Sequence, residues 1–133
     1  MYTRRHGLST ICLWLAVVLT GDGKLKKGVA KLKDDPNMGM RDLWYYVDDR
    51  DVARAFKLAV EKENISHETF LVSAKTHYSK LDWMDLVKTF FPETQTIFNK
   101  DSFLLNGRKS LFDISKAREM LGFEPKFNIE DFI

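Results

Sequence analysis

The chain's 133 residues, 44% of them hydrophobic and 13% aromatic, are enough for one domain with a real core and too apolar for disorder. Its 21 basic and 19 acidic residues are mixed along the chain and leave a net charge of +2, so nothing electrostatic points to nucleic acid or to a membrane surface. Cys12 is the single cysteine, which excludes a disulfide framework and suits a reducing, cytoplasmic setting, and His6, His67 and His77 lie too far apart for a metal site.

Tyr2–His6 reads as the end of a helix stopped by Gly7. The apolar run Ile11–Leu19 that follows admits two readings. Behind Arg4, Arg5 and His6 it resembles the core of a secretion signal, which would make the chain a small secreted binding protein. No A-x-A-like site follows it, however, and it is shorter than the roughly 20 residues that cross a bilayer. Its β-branched Ile11, Val17 and Val18, bounded by glycines, fit a strand over Thr10–Leu19 buried on both faces. Lys24–Lys33 is a basic stretch, read as the solvated face of a short helix over Lys26–Lys33.

Asp34–Met40 is rich in turn residues, and Leu43–Val47 has the aromatic and β-branched content of a short strand. Asp51 suits a helix cap, before Val52, Ala55, Phe56, Ala59 and Val60 at the spacing of one helix face. Glu68–Ala74 reads as a second strand. Leu81–Phe91 reads as a helix with Trp83, Leu86, Val87, Phe90 and Phe91 on one side and Pro92 after it. Thr96–Phe98 and Ser110–Asp113 are short extended segments. A last helix starts at Asp113 or Ser115, with Gly122 where a left-handed cap belongs and Pro125 barring continuation. Strands alternating with helices predict an α/β fold. Asn128 announces a further helix that is not built, so the chain reads as a fragment of something longer.

Three stretches, in order, resemble one family. "YTRRHGLSTICLWLAVVLTGDG" (2–23) is similar to the "ARRYGLPVVALRLGNVYGPG" pattern of the extended short-chain dehydrogenase/reductases, the NAD(P)-dependent sugar-nucleotide epimerases, dehydratases and their relatives. "YVDDRDVARAFKLAVE" (46–61) resembles that family's "YVDVRDVARA…ALE", and "SLFDISKAREMLGFEPKFNIED" (110–131) resembles its C-terminal "D-x-S-K-A-x-x-x-L-G-W-x-P" signature. The resemblance implies the C-terminal part of a Rossmann-like NAD(P)-binding fold with its small substrate-binding domain. Residues 1–133 would form one truncated α/β unit. Within it, 1–23 would be the last core strand of the cofactor domain and 24–133 mostly substrate domain, with a strand near 68–74 returning to the sheet.

The resemblance also marks what this chain lacks. The family's Gly-x-x-Gly-x-x-Gly turn, which brings backbone to the cofactor pyrophosphate, does not occur here, and no tyrosine has a lysine four residues on. The implied cofactor is NAD or NADP in the full-length enzyme and none for this piece, which would be inactive alone. The alternative is a non-catalytic binding or interaction module of the same architecture. The implied partner is a nucleotide-sugar-like small molecule, with no nucleic acid and no membrane, and a homo-oligomer is compatible with the reading.

Ungapped, Trp14 stands where the family has an arginine, and Val17 where an asparagine meets the nucleotide-sugar. Valine has no hydrogen bond to give, so that contact is lost. Arg108 is the best remaining ligand contact, its forked guanidinium suited to a diphosphate. Trp44, Tyr45 and Tyr46 suit either stacking on a base or sugar or packing in a core, and the candidate substrate-binding residues are therefore Arg108, Val17 and Trp44. Asp49 falls where the family is small and apolar, and must be exposed or matched by Arg50 or Arg54. A strand apolar on both faces, without the family's other half, is expected to leave apolar surface bare.

Overall fold

The computed structural model describes residues 7–20, 26–94 and 106–129, with the side chains of 26–29 left aside. The expected helix end at Tyr2–His6, the extended Thr96–Phe98 and the helix announced by Asn128 lie wholly or largely outside these residues. The elements run β1 (Thr10–Leu15), β2 (Val17–Leu19), α1 (Lys26–Asp34), a 3-10 helix (Pro36–Asp42), β3 (Tyr46–Asp48), α2 (Asp49–Glu61), β4 (His67–Val72), α3 (Trp83–Phe90) and α4 (Ser115–Leu121).

The apolar run of the N-terminal region is strand, but two strands rather than one. β1 pairs parallel with β4, in register Leu13 to Phe70, and β2 pairs parallel with β3, in register Leu19 to Asp48. The break falls at Ala16, whose N–H makes the last bond to β4 at Val72 O (3.0 Å). Beyond Val72 the β4 chain turns toward β3, where Ala74 N donates to Tyr46 O at 2.8 Å, so the strand leaving Ala16 finds β3 as its new neighbour. The strand expected at Glu68–Ala74 is β4.

Burial alternates along β1. Ile11, Leu13 and Leu15 pack inward with Phe70 and Val72, whereas Cys12 and Trp14 face out, Trp14 with 71% of its surface exposed. The expectation of burial on both faces is thus corrected: among the described residues one face of the β1–β4 pair is covered. Leu8 and Val18 are also exposed, so the bare apolar surface is present.

The strand expected over Leu43–Val47 starts later, at Tyr46. Leu43 and Trp44 both have left-handed backbone, φ 50° and 57°, a conformation costing roughly 1 kcal/mol or more for each residue. What holds it is Trp44 itself: its N–H donates to Gly39 O (3.0 Å), its indole N–H to Pro36 O (2.6 Å), and its ring is wholly buried against Trp83, Phe90 and Phe91. Gly39 lets that ring approach, since a Cβ there would collide with the indole and with the Tyr78 hydroxyl. This aromatic core also takes in Tyr45, Tyr46 and Leu86.

A second core joins Val47, Phe70 and Val72 to Ala55 of α2 and to Ala117 and Leu121 of α4. The expected apolar face of α2 is only partly its buried one. Ala55 is buried and Val52 and Leu58 pack beside it, but Phe56 is 51% and Val60 85% exposed. Asp51 is not the cap of this helix. Asp48 is, its Oδ1 accepting from Arg50 N at 2.8 Å. Asp51, also in the first turn, is buried, accepts from Lys126 N (2.9 Å), Phe127 N (3.0 Å) and Arg54 Nη1 (2.5 Å), and so ties the C-terminal tail to α2. Arg50 chelates Asp48 and lies over the Phe127 ring, while Asp49 sits half-buried in the first turn. The end of α4 follows expectation, with Gly122 at φ 74° and its N–H on Arg118 O.

Candidate functional site

In a parallel sheet, the carboxyl ends of the strands leave a crevice where ligands bind. Here β1 ends at Leu15, β2 begins at Val17, and the chain leaves β4 through Ala74 and Lys75. Two grooves open here, one where β1 ends and β2 and β3 begin, the other beyond the end of β4. The smaller, about 380 Å³, is lined by Trp14, Leu15, Ala16 and Val17 on one side and by Arg41, Asp42, Leu43, Tyr45 and Phe112 on the other. The larger, about 560 Å³, lies between Ala74–Lys75 and the loop that runs from Asn106 through Ser115 to Arg118. Phe112 lines both, its ring stacked on that of Tyr45 with centroids 3.7 Å apart.

The loop wall of the larger groove is held from behind. Ser110 N donates to Lys75 O (2.8 Å), Trp83 N and Nε1 donate to Gly107 O (2.8 Å) and Lys109 O (2.7 Å), and His77 N donates to Arg108 O (3.0 Å). His77 is fully buried, with its ring against Trp83 and Nε2 3.3 Å from Gly107 O. Burial pushes its pKa down to about 4 against the pull of that carbonyl, so the imidazole is neutral at ordinary pH. Gly107 lies so close to the Asp82 side chain that a Cβ would strike it.

Lys75, Lys109 and Arg118 bring positive charge to this groove and Asp113 one negative charge. Glu124 bridges two of the cations, accepting from Lys75 Nζ (2.6 Å) and Arg118 Nε (2.7 Å), and these bonds hold its carboxyl below the usual range. Asp113 is likewise held low, first by its hydrogen bonds with Ser115.

The three sequence candidates separate. Val17 lines the smaller groove. Arg108 stands beside the larger one, between Asn106 and Lys109 in the loop, with Nη2 donating to His77 O at 3.1 Å. Trp44 lines neither groove, and its complete burial corrects the expectation of a stacking surface: both its hydrogen bond and its ring are spent inside the protein. Sequence reasoning missed Lys75, Lys109 and Arg118, which are too far apart in sequence to read as a cluster, and the Tyr45–Phe112 pair, brought together across 67 residues.

The glycines offer no cradle for a dinucleotide pyrophosphate among the described residues. Gly39 and Gly107 are closed over by side chains, and Gly7 and Gly122 serve positive-φ turns. The described residues thus do not fit an NAD(P) pyrophosphate, and the sequence lacks the Gly-x-x-Gly-x-x-Gly spacing. No group of His, Cys, Asp and Glu among the described residues is arranged to hold a metal ion, and no described helix is long and apolar enough to cross a membrane.

The fold is α/β and Rossmann-like, with parallel strands. It resembles the solved structure of UDP-N-acetylglucosamine 4-epimerase from Bacillus cereus, with a TM-score of 0.56 and 18% identity over 96% of this chain and 43% of that one. In sequence, a Candida albicans protein described as an NADPH-dependent methylglyoxal reductase is 31% identical over 84 residues, 60% of this chain. No protein-family profile matches the sequence. The two likenesses, one of fold and one of sequence, support the resemblance to the NAD(P)-dependent epimerase/dehydratase family. The chain spans about a quarter (24%) of the reductase and less than half of the epimerase.

Proposed function

We propose that this chain is the substrate-binding portion of an NAD(P)-dependent oxidoreductase of the extended short-chain type, with Val17 in the smaller groove and Arg108 beside the larger one as substrate-facing residues. The observation that carries the reading is the position of the two grooves, the smaller at the carboxyl end of β1 and the larger just beyond the carboxyl end of its parallel partner β4, joined at Phe112. The substrate is a small molecule. The likenesses point in two directions, a nucleotide-sugar like that of the epimerase or a small carbonyl compound like that of the reductase. A diphosphate would lie in the larger groove, whose Lys109 and Arg118 supply the charge, and Arg108 would reach it by leaving the His77 carbonyl.

The same reading holds that the chain alone neither binds cofactor nor turns over substrate. Nothing in it supplies the glycine-rich turn or the tyrosine–lysine pair that the resemblance requires for both. Calorimetric titration of residues 1–133 with NAD and with NADP is expected to show no saturable heat. Stoichiometric tight binding of either would overturn this part of the proposal. A non-catalytic binding module of the same architecture is the second reading, favoured by the apolar Val17 where the family has a polar contact.

A further inference from the structure

We infer that Asn106, on the wall of the larger groove, is a site of self-modification: the backbone nitrogen of Gly107 attacks its side-chain amide, closing a succinimide that opens as aspartate or isoaspartate. The inference stands apart from what the groove binds, since the chemistry is the chain's own and needs only water. Asn106 is the one asparagine of five that precedes a glycine, the others preceding methionine, isoleucine or lysine. A side chain on the following residue crowds the ring closure, and glycine has none.

The loop is arranged for this closure. Arg108 N donates to Asn106 Oδ1 at 3.2 Å. That oxygen gathers negative charge when Cγ is attacked, and a fixed backbone N–H stabilises such an oxyanion. Lys109 N donates to Asn106 O at 3.0 Å. This carbonyl belongs to the same peptide group as the attacking nitrogen, so the bond stabilises the amide anion formed when Gly107 gives up its proton. Among the described residues no hydrogen bond ties up Gly107 N, and Asn106 is exposed to water and base. The proton passes to a base from solvent, nitrogen bonds to Cγ, and ammonia leaves with a proton from water. Water then opens the imide, at one carbonyl to aspartate and at the other to isoaspartate.

The surrounding charges agree on balance. Arg108 and Lys109 follow in the loop and favour an anion at Gly107. Asp82, at the start of α3, lies against Gly107 and opposes it, while His77, its Nε2 3.3 Å from Gly107 O, is neutral. Packing also keeps the reactive pair in place, because a Cβ on Gly107 would stand 2.5 Å from Asp82 Cγ. The product changes the groove. Its charged lining, Lys75, Lys109 and Arg118 against Asp113, gains a second carboxylate. Isoaspartate also lengthens the backbone by a methylene next to Gly107, whose carbonyl Trp83 N holds at 2.8 Å.

The test is ageing of the 133-residue chain at mildly alkaline pH, followed by peptide mapping with tandem mass spectrometry, which locates each amide-to-acid conversion. Conversion at Asn106 is expected to run at least about tenfold faster than at any other asparagine, a barrier lower by about 1.4 kcal/mol. Its rate should rise about tenfold per pH unit, as the ionised fraction of the amide does. The folded chain should convert at least as fast as the chain unfolded in guanidinium chloride, because the two N–H contacts to Asn106 exist only in the fold. Hydroxylamine added during ageing should cut the chain between Asn106 and Gly107, the mark of a succinimide. A folded rate below the unfolded one would show that the loop protects Asn106 and would overturn the inference. So would conversion spread evenly over the five asparagines, or loss of the Asn106 amide with no hydroxylamine cleavage.

Discussion

Asp51, Gly39 and His77 each make a local contribution that their place in the fold decides. Asp51 looks like a helix cap in sequence, but its carboxylate is the buried acceptor for two tail amides and Arg54. Asp51→Ala is expected to destabilise the protein by about 3 kcal/mol, because charged hydrogen bonds are lost and the Arg54 guanidinium is left without its carboxylate, and urea unfolding measures it. Gly39→Ala should cost about 1–3 kcal/mol by forcing Trp44 and Tyr78 aside, with a loss of Trp fluorescence anisotropy at the aromatic core.

His77 sets a pH dependence. Its folded pKa of about 4 lies below the ordinary 6.5, because burial opposes the charged form. The unfolded chain therefore takes up a proton before the folded one does as pH falls. The contribution is complete above about pH 6.5, declines between 6.5 and 4, and is absent below, a total of about 3 kcal/mol. Stability measured across this window should fall with acidification, and His77→Phe should flatten the slope. A slope unchanged in that variant would assign it to other groups.

At the scale of elements, the sequence showed type and order better than bounds and partners. β4, α3 and the Gly122 end of α4 were legible because their signals are local: alternation, one apolar face, a glycine that accepts positive φ. The split of the first strand at Ala16 was not, because it depends on where the β4 chain turns away, more than fifty residues later. Nor was the late start of β3, since two bulky residues in left-handed backbone run against their own preference and only the Trp44 pocket maintains them. α2 shows the limit of periodicity: Phe56 and Val60 match the apolar spacing, yet the helix buries Ala55 and presents those two to solvent. Val60→Lys is accordingly expected to change stability by less than about 0.5 kcal/mol, whereas Ala55→Leu overpacks the second core and costs about 1–3 kcal/mol, both by denaturant midpoint.

Across the whole molecule, the uneven covering of the β1–β4 pair is the dominant feature. One face is core. The other presents Cys12 and Trp14, flanked by exposed Leu8 and Val18. Apolar surface of that kind promotes association, so sedimentation of the chain should show mass rising with concentration, and Trp14→Ser should reduce it. The candidate site was legible only in part. Val17 stood out because a family pattern gave it a polar counterpart, and it lines the smaller groove, but the grooves themselves needed the fold, which brings Phe112 onto Tyr45 and sets Lys75 beside the Asn106–Arg118 loop.

The central claim, that the strand ends form a substrate site, is tested most directly by amide chemical-shift mapping of the labelled chain during titration with acetophenone and with UDP-N-acetylglucosamine. The account predicts saturable shifts at Leu15–Val17, Arg41–Tyr45 and Phe112, with Thr10 and His67 at the amino ends of β1 and β4 unmoved. Shifts centred on those amino ends, or none at saturation with either ligand, would contradict it.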